Sequence, residues 1–156
     1  YLSAADGLNE VTPSNIQLLH WANDVKGSLN GQTSFVAYEP ESHLSWTLRI
    51  LSRGRHCDVQ PASLRDTLIM NKAFGSVSWD IHPVYILLPD GRWTMATMHN
   101  RPHGVNTIYD NGFGGQNCVH FLWDMEEAQK NDPNYGVRNQ ETLREAWKAL
   151  TGETVN

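Results

Sequence analysis

The stretch HPVYILLPDGRWTMATM, residues 82–98, constrains the fold more than any other part of the chain. Two strand-like runs rich in aliphatic, aromatic and β-branched residues flank Pro89-Asp90-Gly91, and Pro-Asp-Gly supplies the backbone angles of a tight reversal. The spacing predicts an antiparallel hairpin over about 83–98, with its second strand ending at His99.

The remaining pattern alternates helices with short strands. Residues 12–25 predict a helix: Thr12 can cap it, Pro13 fits its first position, and Leu18, Trp21, Ala22 and Val25 recur at helical spacing. Residues 34–40 and 44–51 predict two strands around a Glu-Ser-His turn. A second helix is expected after Pro61, with Leu64 and Leu68 four apart and Gly75 ending it. A third is expected from about Phe121. The fourth runs over 139–152, capped by Asn139, with Leu143, Ala146, Trp147 and Leu150 on one face and Gly152 at its end; NDPNYG is the loop before it. No repeat or linker interrupts the 156 residues. The expectation is therefore one α+β domain, 1–156, with an antiparallel sheet, a central hairpin and three to four flanking helices.

Charge and length exclude several functions. A net charge of −5 argues against a nucleic-acid partner, because the one basic patch, Arg49 to Arg55, holds only three arginines. No run is apolar enough for a membrane span, and YLSAADGLNE lacks the basic and apolar regions of a leader. Cys57 and Cys118 can form one disulfide in an oxidising compartment, but two cysteines do not fix the compartment. Trp21, Trp46, Trp93 and Trp147 fall on apolar faces and are expected in the core. Asp124 to Glu127 reads as a solvated first helical turn.

Chemistry concentrates in PHGVNTIYDNGFGGQNCVHF, residues 102–121. A cysteine becomes a nucleophile when an imidazole near it takes its proton or lowers its pKa. His103, held between Pro102 and Gly104, is the candidate base for Cys118. Glycines 112, 114 and 115 allow the backbone to approach a ligand, and a helix starting near 119–121 would place the thiol at the positive end of its dipole, with backbone N–H groups as an oxyanion hole. The alternative is a small buried thiol beside a solvated histidine. Asp58 or His56 can orient the base, or Asp58 can cap the helix after Pro61. His99, Gly115, Gln116, Asn117, His120 and Trp79 surround the proposed thiol as substrate contacts, and Trp123 can line a groove. His56, Asp58, His103, Cys118 and His120 also carry donors suited to zinc. Of these, His56, Asp58 and His120 are the alternative metal set, although no CxxC or HExxH spacing supports them.

The strand leading into His103-Gly104, the glycine-bearing loop and Cys118-Val119 together resemble the catalytic core of the L,D-transpeptidases, which cross-link bacterial peptidoglycan. The resemblance implies that Cys118 accepts the acyl group and His103 is its base, with no cofactor. Gln116 stands where that family has histidine, and His120 where it has arginine. More broadly, GRHCDVQP, PHG, NGFGGQNCVHFL and DPNYGVRNQ resemble an uncharacterised exported domain of Gram-positive bacteria found beside peptidoglycan-binding modules. That second resemblance implies a secreted or cell-wall setting and a peptidoglycan or peptide substrate. The expected function is cysteine-dependent acyl transfer or amide hydrolysis. A zinc-dependent cell-wall amidase or peptidase and a non-catalytic peptidoglycan-binding module are the alternatives.

Overall fold

In a computed structural model the chain is described over residues 11–156, so the expectation that YLSAADGLNE lacks the regions of a leader falls on residues outside those described. Six strands close into an antiparallel barrel: β1 (Ser34–Glu39), β2 (Leu44–Arg53), β3 (Cys57–Pro61), β4 (His82–Leu87), β5 (Trp93–Met98) and β6 (Asn117–His120). Their order around the barrel is β1-β2-β3-β6-β5-β4. This replaces the α+β sheet with a central hairpin and three to four flanking helices. The Pro-Asp-Gly hairpin does form, as β4 and β5, but β4 pairs onward with β1 through Val36↔Leu87 and so shuts the sheet on itself. Closure leaves no free edge to cover.

Among the described residues three α-helices accompany the barrel: α1 (Leu64–Phe74), α2 (Met125–Asn131) and α3 (Tyr135–Thr151). The helix expected over 12–25 shrinks to a single π turn, Trp21–Val25. The segment before it is extended, because Gln17 exchanges backbone hydrogen bonds with Trp93 and Met95 of β5. Pairing with a distant strand outweighs the local helical spacing. Leu19, Trp21 and Val25 are still buried, in the barrel's core. On α1 the cap is Ser63, whose side chain accepts from the Asp66 N–H, so Asp58 does not cap this helix. Leu64 and Leu68 are half exposed, and the inward residues are Thr67, Ile69 and Met70.

Inward strand residues fill the barrel, including Ala37, Trp46, Leu48, Cys57, Val59, Val84, Ile86, Ala96 and Val119. Phe121 follows β6 into the same core and stacks on Trp21 at 5.4 Å. A smaller cluster of Met95, Leu143 and Trp147 seats α3 on the outside of β5. All four tryptophans expected in the core, Trp21, Trp46, Trp93 and Trp147, are buried. α3 begins four residues before Asn139. That residue is buried inside the helix, where it accepts from the Thr97 hydroxyl and donates to the Tyr135 carbonyl. No helix of the described residues is long and apolar enough to cross a membrane.

Candidate functional site

Strand alternation builds the site. In β3 and β6, Asp58 pairs with Cys118 and Cys57 with Val119. Side chains of a strand alternate between faces, so Cys57 and Val119 point into the barrel while Asp58, Cys118 and His120 point outward. The neighbouring register, Ser52↔Asp58, adds Ser52 to the same row. Cys118 therefore sits in a strand and not at the foot of a helix; α2 starts seven residues later, and no dipole bears on the thiol as the sequence suggested. The two cysteines are free. Being one step apart in register, they face opposite sides of the barrel wall.

His103 reaches this row from the loop after β5. It forms an isolated antiparallel bridge with Gln116, with backbone hydrogen bonds of 3.0 and 2.7 Å in the two directions. That bridge closes a loop of about a dozen residues and brings His103 Nε2 to 3.6 Å from Cys118 Sγ. The loop is pinned from below by Gln60, fully buried in β3, whose amide donates to the Gly115 carbonyl and to Asn106 and accepts from Thr107. The ring of Trp79, half exposed, lies 4.9 Å from the His103 ring and 4.7 Å from that of His99. Gly115 permits the close approach: a Cβ there would come within 2.8 Å of the His103 backbone N and O. Gly115→Ala is expected to push the two segments apart and slow any reaction of the pair about 10²-fold. Timed alkylation of Cys118 in the folded variant checks this.

Asp58 accepts from His56 Nε2 at 3.0 Å, from the Ser52 hydroxyl at 2.5 Å and from the Cys118 thiol at 3.5 Å. It orients His56 and the thiol. It makes no hydrogen bond to His103, whose ring is held by the bridge to Gln116 and by Trp79 and His99. Burial alone would raise the Asp58 carboxyl, but the His56 and Ser52 hydrogen bonds, the His56 charge and the thiol outweigh it and hold the group at about 2. A carboxyl depressed in the folded state stabilises the fold above its ordinary value near 3.8, and that contribution is lost as pH falls toward 2. Asp58→Asn should thus destabilise the chain by about 1–2 kcal/mol at pH 7, with the gap to wild type narrowing as pH drops from 4 to 2. Denaturant titrations across that range measure it.

Burial, followed by the Asp58 charge and hydrogen bond, pushes the Cys118 thiol above its ordinary value. Burial pushes His103 down, against the opposing pull of Asp58. The pair therefore rests as a neutral thiol beside a neutral imidazole. His99 is fully buried and held at about 3, chiefly by burial. Its two ring nitrogens face the N–H groups of Arg101, at 3.1 Å, and of Cys118, at 3.3 Å. A neutral imidazole has one ring lone pair, so it satisfies only one of them at a time. His99 lies beneath the thiol as a positioning group. Asn117 is also fully buried, facing inward and donating to the His99 carbonyl.

His120 is buried on the outer face, its ring 4.7 Å from that of His56, and burial lowers it well below its ordinary value. Trp123 lines a pocket with His56 and His120. Tyr135, Ser52 and Gln60 are the parts that sequence reading missed. Tyr135 packs edge-on against Trp79, His99 and His120 and donates its hydroxyl to the Trp79 carbonyl. Ser52 and Gln60 were open to a period-two reading of their strands. Tyr135 carried no such signal.

Neither a family model, nor a curated protein, nor a solved structure matches the chain.

Proposed function

We propose that the chain is a cysteine-dependent acyl-transfer enzyme or amidase acting on peptides of the bacterial cell wall, with Cys118 as nucleophile and His103 as general base. The observation that carries this reading is the 3.6 Å separation of Cys118 Sγ and His103 Nε2 on the outer face of the barrel. Because both groups rest neutral, the thiol proton passes to His103 as the sulfur attacks the acyl carbon. His103 then gives that proton to the departing amine as the carbon–nitrogen bond breaks, leaving a thioester. An amine or water attacks the thioester, again giving its proton to His103, and the sulfur departs to recover that proton. Asp58, ionised throughout, stabilises the transient imidazolium by its charge and holds His56 in place. Trp79, against the His103 ring, and Gln116, bridged to His103, are the substrate contacts of this reading, with His120 lining the neighbouring pocket; a secreted or wall-associated setting goes with it.

The test is intact mass after incubation with purified peptidoglycan peptides. An adduct on Cys118, with turnover to hydrolysed or cross-linked product, supports the reading. No adduct and no product, with Cys118 alkylating no faster than the fully buried Cys57, overturns it in favour of a non-catalytic wall-binding module.

A second reading has its own observation. Ligand atoms of His99, His103 and Cys118, and of His56, Asp58 and Cys118, each gather within 4.8 Å, sharing the sulfur. Either set suits a thiophilic divalent cation such as zinc, while His120, which the sequence grouped with His56 and Asp58, belongs to neither. Both sets are already engaged internally: His56 and Asp58 bond each other, and both nitrogens of His99 face N–H donors. Stoichiometric zinc in protein purified without chelator, with loss of thiol alkylation, would favour the metal reading.

A further inference from the structure

At His56 and His120 lies a small, half-open pocket of about 80 Å³, lined among others by Arg55, Trp123, Asp132 and Gly136. Arg55 stands in the turn between β2 and β3, exposed, with no ion pair or side-chain hydrogen bond among the described residues. Asp132 stands in the short link between α2 and α3 and is likewise without a side-chain partner among the described residues. Its carboxylate rests directly on Gly136, where a Cβ would come within 2.6 to 2.8 Å of Asp132 side-chain atoms. Glycine at this position, inside the first turn of a helix it otherwise weakens, leaves the carboxylate its place in the lining.

A guanidinium and a carboxylate, each unpaired, therefore line one confined space. Arg55 is exposed and Asp132 only partly buried, so both charges are hydrated, and a ligand that displaces this water must meet both of them to offset its loss. A simple anion would meet Arg55 but be repelled by Asp132. A simple cation would meet Asp132 but be repelled by Arg55. A group bearing both charges on one carbon satisfies both, and its size suits the pocket.

We propose that this pocket binds an amino-acid zwitterion, its carboxylate on Arg55 and its ammonium on Asp132. His56 joins the pocket to Asp58 and through it to Cys118, so in an acyl-transfer substrate the bound group is a residue joined through its side chain, the one kind of peptide end that keeps a free ammonium and a free carboxylate on one carbon. This role of the bound group rests on the acyl-transfer reading. The binding itself does not.

The experiment is a titration of the full chain carrying Cys118→Ala, followed by the NMR signals of the His56 and His120 imidazoles. The probes are D- and L-alanine, N-acetylalanine, which keeps only the carboxylate, and alaninamide, which keeps only the ammonium. At least one enantiomer of alanine should shift both imidazoles saturably and bind at least tenfold more tightly than either blocked form. Arg55→Gln should weaken alanine and N-acetylalanine together, and Asp132→Asn should weaken alanine and alaninamide together. Equal binding of free and blocked forms, no saturable shift, or binding untouched by both substitutions overturns the proposal. Because the titration uses no thiol, an inert Cys118 would not abolish it. Its failure would likewise leave acylation of Cys118 standing.

Discussion

Cys118→Ala is expected to abolish covalent acylation and lower acyl transfer at least ~10³-fold, while the barrel stays folded. The sulfur lies 3.6 Å from His103 Nε2. Cys118 itself belongs to the outer row, not to the core that holds the barrel together. The substitution also removes the thiol's 3.5 Å contact with Asp58, which keeps its stronger hydrogen bonds from His56 and Ser52. Circular dichroism and denaturant unfolding close to wild type, with no acyl adduct by intact mass, is the expected pattern. Residual acylation of this variant would place the nucleophile elsewhere, and Cys57 is a poor substitute: it faces the core, fully buried, and burial pushes its thiol up to about 12.

His103→Gln carries the second large effect, a loss of about 10²–10⁴-fold in the acylation rate at pH 7, the usual contribution of a positioned general base. Glutamine keeps the backbone bridge to Gln116 and much of the packing on Trp79, so positioning survives while the proton acceptor goes. The loss should be steeper here than at a site built as a preformed ion pair. Burial and the Asp58 charge next to it raise the Cys118 thiol, and without His103 the nearest imidazole is His99, whose two ring nitrogens already face the N–H groups of Arg101 and Cys118. Single-turnover acylation of both proteins measures the ratio.

Turn chemistry made part of the fold legible. Pro89-Asp90-Gly91 and the Glu41-Ser42-His43 reversal set two hairpins of the barrel, and His43 takes the left-handed angle that the second demands. What sequence could not reveal was closure. The pairing of β1 with β4, and of β3 with β6 across some sixty positions, joins segments with no local signal between them. The segment after Asn117 misled for a physical reason: Cys118 and His120 face outward while Val119 and Phe121 face the core, a strand period in a run too short to distinguish from a helix start. The first helix failed because Gln17 found a partner in β5. α3 starts early because Pro133 lies outside it, before the Asn134 cap, and Gly136 is accommodated in its first turn, against the Asp132 carboxylate.

The site was legible as residue types and illegible as geometry. His56, Asp58, His103 and Cys118 do converge, yet Asp58 turns to His56 and the sulfur rather than to His103. The device that delivers His103, a two-bond bridge to Gln116 with Gly115 beneath it, depends on backbone contact across a loop. Gln116, which replaces a histidine in the resembled pattern, contributes through its main chain at that bridge.

The most direct test of the central claim is the pH dependence of Cys118 alkylation by iodoacetamide, followed by peptide mass in wild type and His103→Gln. A thiol deprotonated by a neighbouring neutral imidazole reacts with a rate that rises as that imidazole loses its proton, below its ordinary value of 6.5, and then levels off. In the variant the rise should move above the ordinary thiol value of 9. Profiles that coincide in the two proteins, both rising only above pH 9, would contradict the account.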